Sequence, residues 1–135
     1  MKLYTYVNYK GNCQEAFRFY EQHLGGKITM MMTHGQGPNA DAGSPNWKEA
    51  ILHARISIGE TELMGADIPN AQPMRSAYLT LIVDSTDEAE RIYAALSAGG
   101  EIFMPLAETF FAFRFGQLRD RFGTSWMILH ERPRP

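Results

Sequence analysis

The chain has 135 residues, of which 44% are hydrophobic and 21% charged, and its formal net charge is −2 at pH 7. This is the length of one domain, and a chain of this size buries about two thirds of the surface that it exposes when unfolded. The net charge is close to zero and no basic run is present, which argues against a nucleic-acid partner or a membrane surface. Since no signal peptide or long apolar segment is visible, we expect a cytoplasmic protein.

The first half of the chain predicts one helix among four strands. Asn12 is a candidate N-cap for the helix, and Gly25 with Gly26 is expected to end it. Residues 34–48 are rich in glycine, proline and asparagine and lack periodicity, so we interpret them as a loop, either a mobile surface excursion or a lid. Strands are predicted at residues 2–9, 27–33, 50–58 and 61–66.

The second half predicts the same order of elements. Asp84, Ser85 or Thr86 is expected to cap a second helix, and Gly99 with Gly100 is expected to stop it. Strands are predicted at residues 77–83, 101–105, 109–118 and 124–130, with a turn at 120–123.

The two halves also share sequence, which indicates a duplicated unit. The matching segments are Glu15-Ala16-Phe17-Arg18-Phe19-Tyr20 with Glu88-Ala89-Glu90-Arg91-Ile92-Tyr93, and Gly25-Gly26-Lys27-Ile28 with Gly99-Gly100-Glu101-Ile102 after a slip of one residue. Each copy is too small to bury its apolar face alone, so we expect the copies to pack together and enclose a groove for a ligand. The sequence therefore predicts one α+β domain of two βαβββ modules, at about residues 1–67 and 76–131, with a linker at 68–75.

Three polar residues are candidates for the groove. The strand at 50–58 alternates, which places His53 and Arg55 on the face opposite its apolar residues. His53 is either a hydrogen-bonded strand histidine or an acid, base or ligand anchor. Arg55 is either a solvated strand arginine or a clamp for a carboxylate or phosphate. Glu108 is either a polar contact in the groove or a turn residue.

Aromatic residues are concentrated near the end of the chain. We expect most of them in the core or at a dimer interface, and together with the sheet edges they predict a homodimer. If some of them, Phe113 included, line the groove, they suit a flat apolar or aromatic ligand. The cluster consists of Phe110, Phe111, Phe113, Phe115, Phe122 and Trp126.

Four stretches of the sequence carry a family resemblance: residues 11–20, 51–55 and 64–67, and residues 108–116 leading into 120–128. Together with the duplicated order of elements, they are similar to the vicinal oxygen chelate superfamily of glyoxalase I, bleomycin-resistance proteins and extradiol dioxygenases. Within that superfamily the chain most resembles the PhnB-like subgroup. The resemblance implies mixed sheets that curl around a groove, with the helices outside.

The resemblance also implies a divalent metal ion, held by one ligand from the first strand of each module and one, typically a glutamate, from the last. Counting along the chain places these positions at Thr5, Met64, Tyr78 and Met127. Hydroxyl and thioether groups suit a hard or borderline cation poorly, so we expect no metal cofactor. We predict instead a PhnB-like protein that binds a small, partly apolar molecule in a groove lined by Thr5, His53, Arg55, Met64, Tyr78, Glu108, Phe113 and Met127.

A second interpretation stays open at this point. The chain would then be a divalent-metal-dependent lyase, isomerase or dioxygenase of the same superfamily, with relocated ligands at His53, Glu62 or Glu108. The sequence alone does not decide whether the protein is an enzyme.

Overall fold

The computed structural model describes residues 1–38 and 47–133, and the chain divides into two compact units, Met1–Gln72 and Pro73–Pro135. Residues 39–46 of the predicted loop lie outside the described residues, and the loop starts with a single 3-10 turn at His34–Gln36. Neither helix in the described ranges has the length and hydropathy that crossing a membrane requires.

The first unit is a four-stranded mixed sheet with one helix. Strand β1 runs parallel to β4, whereas β3 is antiparallel to both β4 and β2, which gives the strand order β1-β4-β3-β2. The elements are β1 (Thr5–Tyr9), α1 (Cys13–Leu24), β2 (Lys27–Thr33), β3 (Ile51–Ile58) and β4 (Thr61–Asp67).

The second unit has the same topology, with strand order β5-β8-β7-β6 and β5 parallel to β8. The elements are β5 (Leu79–Ile82), α2 (Thr86–Ser97), β6 (Glu101–Ala107), β7 (Ala112–Arg119) and β8 (Ser125–Glu131). The predicted α+β fold of two βαβββ modules is confirmed.

Two strands begin three residues later than predicted. The first strand begins at Thr5 because its ladder with β4 begins there, opposite Leu63. The seventh begins at Ala112, because Thr109 forms a turn that breaks the extended chain. The Thr109 hydroxyl oxygen accepts hydrogen bonds from the backbone N–H groups of Phe111 and Ala112, at 3.3 and 3.0 Å.

Helix α1 covers one face of the first sheet. The Phe17 side chain is fully buried and meets the Tyr9 ring edge-on at a centroid distance of 6.0 Å. Gly65 on β4 makes room for this ring, since a Cβ there would lie 2.9 Å from Phe17 Cζ. Among the described residues of this unit, α1 is the one α-helix, so the opposite face of the sheet carries no α-helix from these residues.

Asp67 organises the start of α1. Its carboxylate is buried, and one oxygen accepts hydrogen bonds from the backbone N–H groups of Gly11 and Cys13 at 2.9 and 3.0 Å. The other oxygen accepts from the N–H of Ile51 at 2.8 Å. Asn12 occupies the N-cap position as predicted, but its side chain makes no capping hydrogen bond. Asp67 therefore satisfies a first-turn donor in its place.

A second buried aspartate holds the turn between β7 and β8. One carboxylate oxygen of Asp120 accepts from the N–H groups of Phe122 and Thr124 at 2.9 and 3.0 Å, and the other accepts from Trp126 Nε1 at 2.8 Å. In α2, Ser85 is the N-cap among the three predicted candidates, because its hydroxyl accepts from the N–H of Glu88 at 3.1 Å.

The double glycine after each helix has two separate functions. Gly25 and Gly99 adopt φ values of 69° and 73°, the left-handed conformation that side chains disfavour. The second glycine instead approaches the partner strand: a Cβ at Gly26 would lie 2.9 Å from the Ser57 carbonyl oxygen. The repeated pair therefore both ends the helix and permits close entry of the next strand.

The single cysteine provides a first prediction. Cys13 is fully buried, and burial, with a smaller contribution from the Asp67 carboxylate, raises the pKa of its thiol above the ordinary value. We expect iodoacetamide at mildly alkaline pH to alkylate the native protein at least on the order of 100-fold more slowly than the protein in concentrated urea. Mass spectrometry over time measures both rates, and equal rates would show that Cys13 is accessible.

Candidate functional site

The face of the first sheet opposite α1 carries most of the candidate side chains. Arg55 on β3 pairs with Met64 on β4, and Tyr6 on β1 pairs with the same methionine, so these three side chains point to one side. We call this surface the helix-free face of the first sheet. Its central side chains are Tyr6, Met30, Met32, His53, Arg55, Glu62 and Met64, and the register also places Asn8, Ser57 and Ala66 on it.

Tyr6 and His53 form a pair across β4. The Tyr6 hydroxyl oxygen lies 3.1 Å from His53 Nδ1, and the two rings stack at a centroid distance of 5.7 Å with an interplanar angle of 23°. Partial burial raises the pKa of the Tyr6 hydroxyl, so the group stays protonated at neutral pH.

Arg55 and Glu62 form an ion pair on the same face. Arg55 Nη2 donates to Glu62 Oε2 at 2.8 Å, and the two side chains are 36% and 23% exposed. The Nε atom of Arg55 is buried, and the described residues offer it no hydrogen-bond acceptor. The face therefore combines an aromatic–imidazole pair with a half-buried charge pair, flanked by methionines.

The corresponding face of the second sheet is less polar. Met127 on β8 pairs with Thr80 on β5 and with Gln117 on β7, whereas Trp126 and Ile128 point to the opposite side and are buried. By register, Thr80 corresponds to Tyr6, Gln117 to Arg55 and Met127 to Met64. The second sheet thus has neither an arginine nor an aromatic ring at the equivalent places.

Comparison with known proteins agrees with this architecture. Residues 5–128 match the family model of the Glyoxalase/Bleomycin resistance protein/Dioxygenase superfamily. The chain belongs to this superfamily. It is 33% identical over 139 residues to Protein YjdN of Escherichia coli (strain K12), a match that covers 95% of this chain and 94% of YjdN.

Two solved structures are also similar to the chain. Protein PA1353 from Pseudomonas aeruginosa is 40% identical, with a TM-score of 0.87 and coverage of 98% of this chain and 99% of that one. A PhnB protein from Bacillus cereus, described as a putative 3-demethylubiquinone-9 3-methyltransferase, has a TM-score of 0.82 at 23% identity, with coverage of 96% and 99%. At that identity the second likeness shows the shared fold alone.

Three of the four groove residues predicted in the first half lie together. His53, Arg55 and Met64 share the helix-free face of the first sheet, whereas Thr5 pairs with Leu63 and points to the helix side. The neighbour of Thr5, Tyr6, lies beside Met64 instead.

The displacement of Thr5 has a simple origin. Tyr6 lies seven residues before the start of α1 at Cys13, whereas its counterpart Thr80 lies six residues before the start of α2 at Thr86. The spacing between strand and helix thus differs between the two units, so a count without gaps does not fix the register of β1, and an error of one residue reverses the face.

The predicted residues of the second half separate into different places. Met127 lies on the helix-free side of its sheet, and Tyr78 precedes β5 with its ring 6.4 Å from that of Phe103. Glu108 is exposed and forms an ion pair with Arg132 at 3.2 Å, and the same guanidinium lies 4.7 Å from the centre of the Phe113 ring. Glu108 and Phe113 thus share Arg132 as a partner, at the end of the sheet where β7 begins.

The side chains that pair at or next to the metal positions predicted from the resemblance suit a divalent cation poorly. The side chains facing each other there are Tyr6 with Met64 and Thr80 with Met127, which offer hydroxyl and thioether groups. Within the described ranges, no three His, Cys, Asp or Glu residues are grouped so that they could hold a metal ion. His53 and Glu62, two of the proposed relocated ligands, are engaged by Tyr6 and Arg55.

Proposed function

We propose that this member of the glyoxalase superfamily binds a small, partly apolar molecule on the helix-free face of the first sheet, without the metal ion of its relatives. The observation that carries the proposal is the composition of that face: one polar row, Tyr6, His53, Arg55 and Glu62, lies beside methionine side chains. Binding sites for small molecules typically combine such an apolar lining with a few fixed polar groups.

The methionines supply the apolar part of the site. Met30 pairs with Arg55 and Met32 with His53, so both lie next to the polar row, and Met64 lies between Tyr6 and Arg55. Methionine side chains are flexible and polarisable, and they contact aromatic rings favourably. This surface therefore suits a flat apolar body with a polar edge.

The proposal predicts specific binding of a neutral aromatic probe. We expect 2-naphthol in excess to raise the melting temperature of the protein, because a ligand of the folded state stabilises it. Met64→Ala removes apolar contact area from the site and is expected to weaken binding about fivefold. Isothermal titration calorimetry measures the affinity, with Met104→Ala on the edge strand β6 as the matched control. No binding to the wild type, or equal loss in both variants, would contradict the proposal.

A metal enzyme is the second candidate, because His53 and Glu62 lie on the same face. Elemental analysis of the purified protein distinguishes the two. One divalent ion per chain that is lost in both His53→Ala and Glu62→Ala would favour the enzyme and overturn metal-free binding. A homodimer remains our prediction for the assembly, supported by the exposed Ile102, Phe103 and Met104 on the edge strand β6.

A further inference from the structure

We infer that the ligand of the helix-free face carries a carboxylate group, whose oxygens accept hydrogen bonds from His53 and Arg55. This inference rests on the proposed function and names the class of molecule that the same site selects. It follows from which hydrogen-bond donors and acceptors of the face already have a partner and which do not.

The Tyr6 contact determines what His53 offers. A phenol is a better hydrogen-bond donor than a neutral imidazole, and an imidazole nitrogen is a better acceptor than a phenol oxygen. Tyr6 therefore donates to His53 Nδ1 across the 3.1 Å contact, which assigns the ring proton to Nε2. Among the described residues, His53 Nε2 makes no hydrogen bond. His53 is thus an oriented N–H donor.

Arg55 presents the second donor. Its Nη2 is committed to Glu62, but its Nε is buried and has no acceptor among the residues described. Buried donors without a partner are rare in folded proteins, and a bound molecule is one ordinary explanation for such a group. His53 and Arg55 are two residues apart on β3 and point to the same side, and 36% of the Arg55 side chain is exposed, so one ligand group can reach both residues.

Neither His53 Nε2 nor Arg55 Nε has an acceptor among the described residues, although the register also places Asn8 and Ser57 on this face. His53 Nδ1 accepts from Tyr6, Glu62 accepts from Arg55, and the methionine side chains offer only weak thioether acceptors. The ligand must therefore bring acceptors of its own. Between a neutral carbonyl and a carboxylate, the permanently charged guanidinium favours the carboxylate, because charge-assisted hydrogen bonds are the stronger ones.

Two probes with the same ring test the inference. We expect 2-naphthoate to bind the wild type about tenfold more tightly than 2-naphthol near neutral pH, measured by isothermal titration calorimetry. Arg55→Met retains the aliphatic stem and should reduce the affinity for 2-naphthoate to that for 2-naphthol. The matched control is Arg114→Met, which removes another half-buried strand arginine paired with a glutamate, in the second unit.

A further variant should act in the opposite direction. Glu62→Gln removes the carboxylate that competes for the Arg55 guanidinium, so the affinity for 2-naphthoate should rise several-fold relative to the affinity for 2-naphthol. A melting curve of each variant confirms that it is folded. This variant keeps the test decisive if Arg55→Met is unstable.

The outcomes separate the inference from the function on which it rests. Equal affinities of the two probes for the wild type, or no gain for 2-naphthoate relative to 2-naphthol in Glu62→Gln, overturn the carboxylate inference while 2-naphthol binding still supports the proposed function. If neither probe binds the wild type, the proposed function fails and the inference fails with it.

Discussion

Asp67→Ala is expected to lower the free energy of unfolding by at least about 3 kcal/mol, as measured by urea denaturation. The carboxylate is 2% exposed and accepts hydrogen bonds from the N–H groups of Gly11, Cys13 and Ile51. Alanine leaves these backbone donors without their acceptor at the junction of β4, α1 and β3. Each buried donor left unpaired costs about 1 to 3 kcal/mol.

Two further variants sharpen this test. Asp67→Asn retains one acceptor oxygen but presents an amide N–H₂ to another of the donors, so its stability should fall between those of wild type and Asp67→Ala. Asp84 is exposed, and Asp84→Ala should change the unfolding free energy by no more than about 0.5 kcal/mol. An Asp67→Ala protein as stable as Asp84→Ala would show that these hydrogen bonds contribute little.

Gly100→Ala is expected to destabilise the fold by about 3 kcal/mol, although the position is at the surface. A Cβ there would overlap the carbonyl oxygen of Arg119, which belongs to the backbone of the neighbouring strand β7. A backbone group cannot rotate away as a side chain can, so the β6–β7 ladder would have to shift.

The adjacent glycine is the control. In Gly99→Ala the new Cβ contacts only the Arg121 side chain, at 3.4 Å. The substitution should therefore lower the free energy of unfolding by about 1 kcal/mol, mainly because alanine disfavours the φ of 73° at this position. Thermal melts followed by circular dichroism should therefore rank wild type, Gly99→Ala and Gly100→Ala in falling order. If Gly99→Ala were the less stable of the two variants, the left-handed backbone conformation at Gly99 would matter more than the close approach of Gly100 to β7.

The architecture was predictable from the sequence because it depends on local signals. The helix ends follow from Gly25 and Gly99, and the alternation in β3 correctly places His53 and Arg55 on one face. The ion pair of Arg55 with Glu62 spans only seven residues of a hairpin, so strand register alone suggests it.

What escaped prediction depends on contacts between distant parts of the chain. Asp67 lies 56 residues from Gly11, and no periodicity connects a strand end with the start of a helix so far away. The exchange of Thr5 for Tyr6 is an error of one residue in a count without gaps, which only the register with β4 reveals. The Tyr6–His53 pair could have been suggested only after that shift was known.

A chain built from two similar halves can in principle hold two similar ligands. Here the halves have diverged at matching places, since Tyr6 and Arg55 in one correspond to Thr80 and Gln117 in the other. A molecule that requires both the Tyr6 phenol and the Arg55 guanidinium can therefore bind at only one of these two matching places. If the proposed site binds its ligand through both groups, we expect one ligand molecule per chain in spite of the duplication.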